Sequence, residues 1–238
     1  MTSPVLERIY PEDSGDKREE KIMQLHLERY QYAGQNLSGE MIADIACGSG
    51  YGSYLLATKY PGSIKKIVGV DNNSEAIEYA KNHYSHPLIQ FIQQDAISFN
   101  APGILNTIIS LETIEHLENP EIFVKNCIAQ LDVGGRFIAS SPITPSMDAN
   151  PYHLQDFSKK KFRKLFLDHG MTEISSFIQI QKYNPINLFG KRKGRISELR
   201  RNLFLYYLKH PNKLLLRFSS LLKDGFCNKY LVVVFEKR

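Results

Sequence analysis

The sequence predicts an α/β fold: a doubly wound, mainly parallel sheet of seven strands with helices on both faces. Three observations predict it. Short apolar runs alternate with helical patterns along most of the chain, the first strand-to-helix turn from Asp44 to Gly52 is rich in glycine, and successive early strands end in aspartate. Alternation of this kind needs crossover connections, and crossovers place helices on both faces of a parallel sheet. The 238 residues, 42% of them hydrophobic and 23% charged, suffice for one sizeable core.

The chain opens on an acidic lead with Glu7, Glu12, Asp13 and Asp16. Residues 16–35 then carry a helical pattern, with Asp16 placed as cap and Ile22, Leu25, Arg29, Tyr32 and Ala33 along one side. Gly34 and Gly39 end it. The spacing next predicts strands at 41–45, 66–70 and 89–93, with helices at 52–59 and 74–83 between them. A fourth strand is expected at 107–111 and a helix at 120–131, with Val124, Cys127, Ile128 and Leu131 on its buried stripe. Gly134-Gly135 then turns the chain into a fifth strand at 136–140. A helix at 157–169 and strands at 174–181 and 230–236 complete the sheet. Between those last strands lies a basic insert whose two helices, 197–210 and 212–223, divide at Pro211. The resulting units are an N-terminal lid segment (1–36), a main domain (37–183), the insert (184–228) and a final strand (229–238) that rejoins the main domain.

Cys47, Cys127 and Cys227 are odd in number and far apart, which suits neither a zinc site nor a disulfide framework and points to a reducing cytoplasm. No metal-ligand cluster is apparent from spacing, so no metal ligand is assigned and a metal requirement stays open. The acidic lead lacks the apolar centre of a signal peptide, and no apolar run approaches the roughly 20 residues that span a bilayer.

Open α/β sheets bind ligands outside the carboxyl ends of their strands, near the point where strand order reverses. The loop there reads Asp44-Ile45-Ala46-Cys47-Gly48-Ser49-Gly50-Tyr51-Gly52. The dinucleotide pattern G-x-G-x-x-G fails in either register, because Ser53 or Leu55 occupies its third glycine position. About 20 residues on, the strand Ile67-Val68-Gly69-Val70 ends in Asp71, where a two-acceptor group takes both hydroxyls of a ribose, with Asn72 beside it.

The loop instead resembles the first motif of class I S-adenosylmethionine-dependent methyltransferases, with Ala46 standing where glycine is commoner. The resemblance implies a Rossmann-like domain whose last two strands form an antiparallel hairpin. It further implies that Asp44 holds the amino acid end of S-adenosylmethionine while the backbone at Ala46, Gly48 and Gly50 lies against it. Phe91-Ile92-Gln93-Gln94-Asp95-Ala96 is similar to the family's adenine-binding strand, which gives Asp95 the exocyclic amine and Ala96 a ring nitrogen. A single aspartate at a strand end is often only a turn former; three in order after a glycine-rich loop form a pattern.

Ile108 to Pro120 resembles the fourth-strand motif of small-molecule methyltransferases, including those of ubiquinone biosynthesis and the sugar-modifying enzymes, so Leu111 is expected to border the cofactor. Methyl transfer from a sulfonium needs alignment, a water-poor pocket and, for a hydroxyl acceptor, a base. His116 is the natural candidate; Glu112 and Glu115 would need pKa values raised by burial. Glu112 and His116, four apart, are alternatively a local helical pair. Asn150-Pro151-Tyr152-His153 is similar to segments that border the acceptor in related enzymes, which makes His153 a second base candidate and Asn150 and Tyr152 acceptor contacts. Tyr30, with His26 and Arg29, lies on the lid helix and is expected at the acceptor; the competing reading puts Tyr30 and Tyr32 in the core and Arg29 on a solvated face.

From residue 184 to 228 ten Lys or Arg stand against Glu198 and Asp224, a net +8, which leaves −3 for the remainder. Mixed with Leu203, Phe204, Leu214 and Phe218, this composition suits a cap over the acceptor or a homodimer contact, or a surface for membrane headgroups or a lipid-linked acceptor. Nucleic acid fits less well, since no aromatic stacking platform accompanies the charge. The expected activity is O-methylation of a small polar acceptor, a saccharide or natural-product intermediate. The alternatives are an RNA or protein-amine methyltransferase, in which Arg200 and Arg201 would carry salt-dependent binding, and a non-catalytic cofactor-binding scaffold.

Overall fold

A computed structural model describes residues 17–183 and 203–238. In chain order its elements are α1 (Lys17–Gln35), β1 (Met41–Ile45), α2 (Tyr51–Lys59), β2 (Lys66–Asp71), α3 (Ser74–His83), β3 (Ile89–Gln93), β4 (Leu105–Leu111), α4 (Pro120–Ala129), β5 (Leu131–Pro142), α5 (Lys159–Leu167), β6 (Met171–Lys182), α6 (Leu203–Lys209), α7 (Pro211–Asp224) and β7 (Cys227–Lys237). The seven strands form one sheet in the order β3-β2-β1-β4-β5-β7-β6. β1 to β5 pair in parallel, and β7 runs antiparallel to both β5 and β6. The expected fold class and the closing antiparallel hairpin are both present.

Strand order reverses between β1 and β4, since β2 and β3 lie to one side of β1 and β5 to the other. The loops leaving β1 and β4 therefore flank a crevice at the carboxyl end of the sheet. Helices cover both faces, so the strands need no polar face. In β7 Leu231, Val233 and Phe235 join one core while Val232 and Val234 join the other, all fully buried. Ala43 and Ile45 of β1 join the first core and Ile42 the second, which is the alternation a pleated strand imposes.

Some boundaries move. The helix expected to reach Leu131 ends at Ala129, because Leu131 pairs with Leu105 as the first residue of β5. The pairing resumes only at Thr107 with Arg136, so residues 132–135 form a bulge that contains Gly134-Gly135 rather than a turn into the strand. α5 starts after Phe157, which is in the core, and is capped by the Ser158 hydroxyl accepting from the Lys161 amide at 3.1 Å. Of the insert helix expected at 197–210, residues 203–209 are helical and 197–202 lie outside the described residues, as does the Asp16 cap of α1.

α1 is fixed to the sheet by specific contacts. Tyr32 meets Ser175 of β6 through a 2.8 Å hydrogen bond and sets its ring edge-on to Phe177, and a Cβ on Gly52 of α2 would fall 2.0 Å from the Tyr30 ring. Only glycine permits that approach. Among the described residues no helix is long and apolar enough to cross a membrane.

Candidate active site

The turn between β1 and α2 is held in an unusual backbone path. Ala46 has φ 63°, and Gly48 and Gly50 have φ 57° and 87°. A Cβ on Gly50 would lie 2.6 Å from Ala80 and 2.8 Å from the Phe91 ring, so this position needs glycine twice over. Ala46 has no such freedom, and a non-glycine residue in the left-handed region carries strain of about 1–2 kcal/mol. Glu112, directly after β4, is the other such residue among those described, with φ 55°. The two strained residues stand at the ends of the two adjacent strands that flank the crevice. Strain of this kind persists where the surrounding structure over-determines a functional geometry.

The acids near the ends of the early strands step outward from β1 to β3: Asp44 pairs with Gly69, two residues before Asp71, and Asp71 pairs with Gln93, two residues before Asp95. Asp44 is buried and accepts from the Ser53 hydroxyl at 2.6 Å and the Tyr30 hydroxyl at 3.2 Å. Burial pushes its carboxyl up to about 6; the two hydroxyl bonds oppose that rise and the nearby Asp71 charge adds to it. Asp71 accepts from the Gly48 amide at 3.0 Å and the Asn73 amide at 2.9 Å, which ties the glycine loop to the end of β2. Asn72 is exposed and its carbonyl accepts from the Gln93 side chain, while Asn73 caps α3 through the Ala76 amide at 2.7 Å. Asp95 is exposed two residues beyond β3 and caps its own turn through the Ile97 amide at 2.9 Å, with Ala96 half-buried beside it. Leu111 is half-buried against the second core.

Tyr30 follows the core reading. Its ring is in the core, edge-on to Tyr51, and its hydroxyl donates to Asp44. Arg29, the neighbour assigned to a solvated face in one reading, is buried at 1% exposure. Its Nε donates to Gln179 at 2.9 Å, its guanidinium lies 4.7 Å above the Tyr230 ring, and it faces Glu112 at 3.5 Å. Glu112 also accepts from the Ser140 hydroxyl at 2.6 Å; burial raises its carboxyl, with Arg29 and Ser140 opposing. Glu112 and His116 thus turn to different partners and form no helical pair.

His116 and His153, 37 residues apart in sequence, come together. β4 and β5 are parallel neighbours, so the turn at 113–117 after β4 and the segment 145–156 after β5 emerge side by side. Leu154 donates its amide to the Glu115 carbonyl at 2.8 Å, and His116 Nδ1 meets the Tyr152 carbonyl at 3.1 Å. The rings of His116 and His153 lie 4.6 Å apart, edge to face. Desolvation lowers the pKa of His116, against the pull of the Tyr152 carbonyl; for His153 desolvation and the neighbouring His116 take it to about 3. Asn150 is buried and folds its side chain onto the Tyr152 amide at 2.9 Å, which shapes the segment. Glu115, fully buried, joins the two histidines: one ligand-capable atom from each of the three lies within 4.8 Å of the others. Sequence spacing gave no sign of that cluster, because its members come from loops that only strand pairing brings together.

A cleft of about 700 Å³ opens beside this corner, walled by Met147, Pro151, His153 and Leu154 on one side and by Leu205, Tyr206, Lys209, His210 and Lys213 of the insert on the other. The insert is clamped there. Arg217 grips Asp148 through Nε at 2.7 Å and Nη2 at 2.5 Å, Tyr207 donates to Asp148 at 2.5 Å, and Lys213 reaches Asp156 at 2.7 Å. Burial alone would raise the Asp148 carboxyl, but the Arg217 guanidinium and Tyr207 hydroxyl hold it below the ordinary carboxylate range. Sequence reasoning missed Ser146, Asp148 and Asp156, whose roles depend on contacts with His153 and with Tyr207, Lys213 and Arg217 of the insert.

Fold and crevice together define a Rossmann-like domain of the methyltransferase kind. A family described as "Methyltransferase domain" matches residues 36–190, and the chain belongs to that family. The chain is 23% identical over 153 residues to a protein of Mycobacterium tuberculosis named "Probable S-adenosylmethionine-dependent methyltransferase", covering 61% of this chain and 54% of the relative. It is 32% identical over 135 residues to the ubiquinone biosynthesis O-methyltransferase of Coxiella burnetii, covering 51% and 53%. The chain thus spans about half the length of these curated relatives. Among solved structures it resembles the magnesium protoporphyrin IX methyltransferase of Synechocystis PCC 6803 with bound S-adenosylhomocysteine, at TM-score 0.63 and 15% identity, covering 97% of this chain and 91% of that one.

Proposed function

We propose that this chain transfers a methyl group from S-adenosylmethionine to a hydroxyl of a small polar acceptor, a saccharide or natural-product intermediate. The observation that carries the reading is the presence, at the same carboxyl edge of the parallel strands, of acids after β1, β2 and β3 and of two histidines in contact after β4 and β5.

The donor set fits the cofactor piece by piece. An ammonium needs a buried anion, which Asp44 provides; a ribose diol needs two acceptors, and a carboxylate such as that of Asp71 offers two acceptor oxygens. The adenine amine needs an acceptor at the end of β3, where Asp95 stands, and the Ala96 amide suits a ring nitrogen. The strained path of residues 46–50 brings backbone close to the ligand, as the resemblance requires. S-adenosylmethionine, when bound, supplies an electrophilic methyl group on a sulfonium.

The chain's own residues handle the acceptor. A carbonyl only accepts, so the Tyr152 contact fixes the proton of His116 on Nδ1 and leaves Nε2 with a lone pair. Bound S-adenosylmethionine would supply the methyl group, and an acceptor hydroxyl held at this corner would give its proton to Nε2 of His116. Tyr152 and Asn150 shape the pocket wall, and the clamped insert acts as its cap and excludes water. The clamp also argues against a nucleic-acid surface: Lys213 and Arg217, two of the insert's cations, are engaged with Asp156 and Asp148. The protein works, on this reading, in the cytoplasm.

The test is transfer of labelled methyl from S-adenosylmethionine into a fractionated polar extract. Label in a hydroxyl-bearing small molecule is expected, and His116→Ala should lower the rate by about 100-fold or more. Label confined to RNA or protein would favour the alternative acceptors, and binding without transfer to any fraction would favour a scaffold.

A further inference from the structure

We propose that Glu115, His116 and His153 form a binding site for one divalent transition-metal ion of the zinc class, at the wall of the acceptor cleft. The inference rests on the methyltransferase reading and adds to it the means by which the acceptor is held and ionised.

Geometry comes first. One ligand-capable atom of each residue lies within 4.8 Å of the other two. Ligands about 2.1 Å from a tetrahedral zinc are about 3.4 Å from each other, so closing the set needs side-chain rotation of an ångström or so. Three protein ligands from two loops, with the fourth position toward the cleft, is the arrangement of catalytic rather than structural sites. His153 lies in the cleft wall, which gives that fourth position access to an acceptor.

The surroundings orient both imidazoles as ligands. His116 Nδ1 is bonded to the Tyr152 carbonyl, so Nε2 is its ligand atom. His153 Nδ1 lies 2.7 Å from the Ser146 hydroxyl, which itself points to Asp156 at 3.4 Å, and Asp156 is held by Lys213 of the insert. A ligating histidine whose other nitrogen is fixed by a carbonyl or by a hydroxyl backed by a carboxylate is the arrangement that sets the tautomer in metal sites. Two nitrogens and one carboxylate select zinc or a neighbouring divalent ion over magnesium or calcium, which prefer all-oxygen shells. A buried carboxylate beside a buried and a half-buried imidazole is stabilised by a cation.

An acceptor hydroxyl bound at the fourth position would lose its proton near neutral pH, as metal-bound water does at about pH 7. The proton would leave to solvent, and the oxygen's electron pair would form the bond to the methyl carbon as the carbon–sulfur bond breaks with its pair going to sulfur. Without the ion, the histidine corner would take the proton directly.

The experiment is calorimetric titration of the full chain, freed of metal by chelation, with Zn2+, followed by Co2+ and its visible absorption. The expected result is one equivalent of Zn2+ and a cobalt spectrum of mixed nitrogen and oxygen ligation. His153→Ala and Glu115→Gln should each weaken binding by about 100-fold or more, with affinity for S-adenosylhomocysteine unchanged as evidence of folding. Absence of stoichiometric binding, or binding undiminished in both variants, would overturn the site. Loss of S-adenosylhomocysteine binding by the parent would instead strike the methyltransferase reading beneath it.

Discussion

Ala46 and Glu112 concentrate the local tension of this molecule, one at the end of each strand that flanks the crevice. Relief of left-handed strain at Ala46 is about 1–2 kcal/mol, and the added chain entropy of glycine opposes it by about 0.5–1 kcal/mol. Ala46→Gly should therefore raise stability by roughly 0.5–1 kcal/mol, read from the midpoint of urea unfolding; a loss of stability would show that the strain assignment is mistaken. Asp44 carries a second prediction. Its carboxyl is raised by burial to about 6, above its unfolded value near 3.8, so its contribution favours the fold below the unfolded value and is lost as pH rises through 6. Binding runs the other way, since an ammonium wants the ionised form. Affinity for S-adenosylmethionine should fall about tenfold between pH 7 and pH 5, and a flat profile would remove Asp44 from the ammonium's side.

At the scale of elements, the insert is the distinctive part. Its helices α6 and α7 are locked to the 145–156 segment by Arg217, Tyr207 and Lys213 on two carboxylates, and Asp148 is only 2% exposed. Removing one partner of a buried ion pair costs about 3–5 kcal/mol, because the other charge stays buried. Arg217→Ala should release the insert and speed proteolytic cleavage between β6 and β7, while Arg217→Ala with Asp148→Asn should lose less. Asp148 is held below its ordinary range, so the clamp is present above that range and loosens as pH falls through the lowered value. Periodicity made most elements legible, and it failed where pairing decides. Leu131 reads as the last buried turn of a helix, yet its partner Leu105 draws it into β5, and the bulge that follows was hidden by a glycine pair that reads as a turn.

For the molecule as a whole, the acids at the ends of the early strands were legible and the histidine corner only in outline. Asp44, Asp71 and Asp95 each follow an apolar run, so strand prediction alone sets them along one edge. Tyr30 was left between the core and the acceptor because a tyrosine on an amphipathic helix gives no hint that its hydroxyl belongs to an acid 14 residues on. Glu115 and His153 could not be joined from sequence, since their meeting depends on the parallel register of β4 with β5 and on backbone bonds such as Leu154 to Glu115. The central claim is that the acids along β1, β2 and β3 form the S-adenosylmethionine slot. Calorimetric titration of the parent and of Asp71→Ala with S-adenosylhomocysteine tests it most directly. Two charge-assisted hydrogen bonds to the ribose are worth enough that the variant should bind about 100-fold more weakly than a parent that binds one equivalent. A parent that takes up no ligand, or a variant that binds as tightly as the parent, would contradict it.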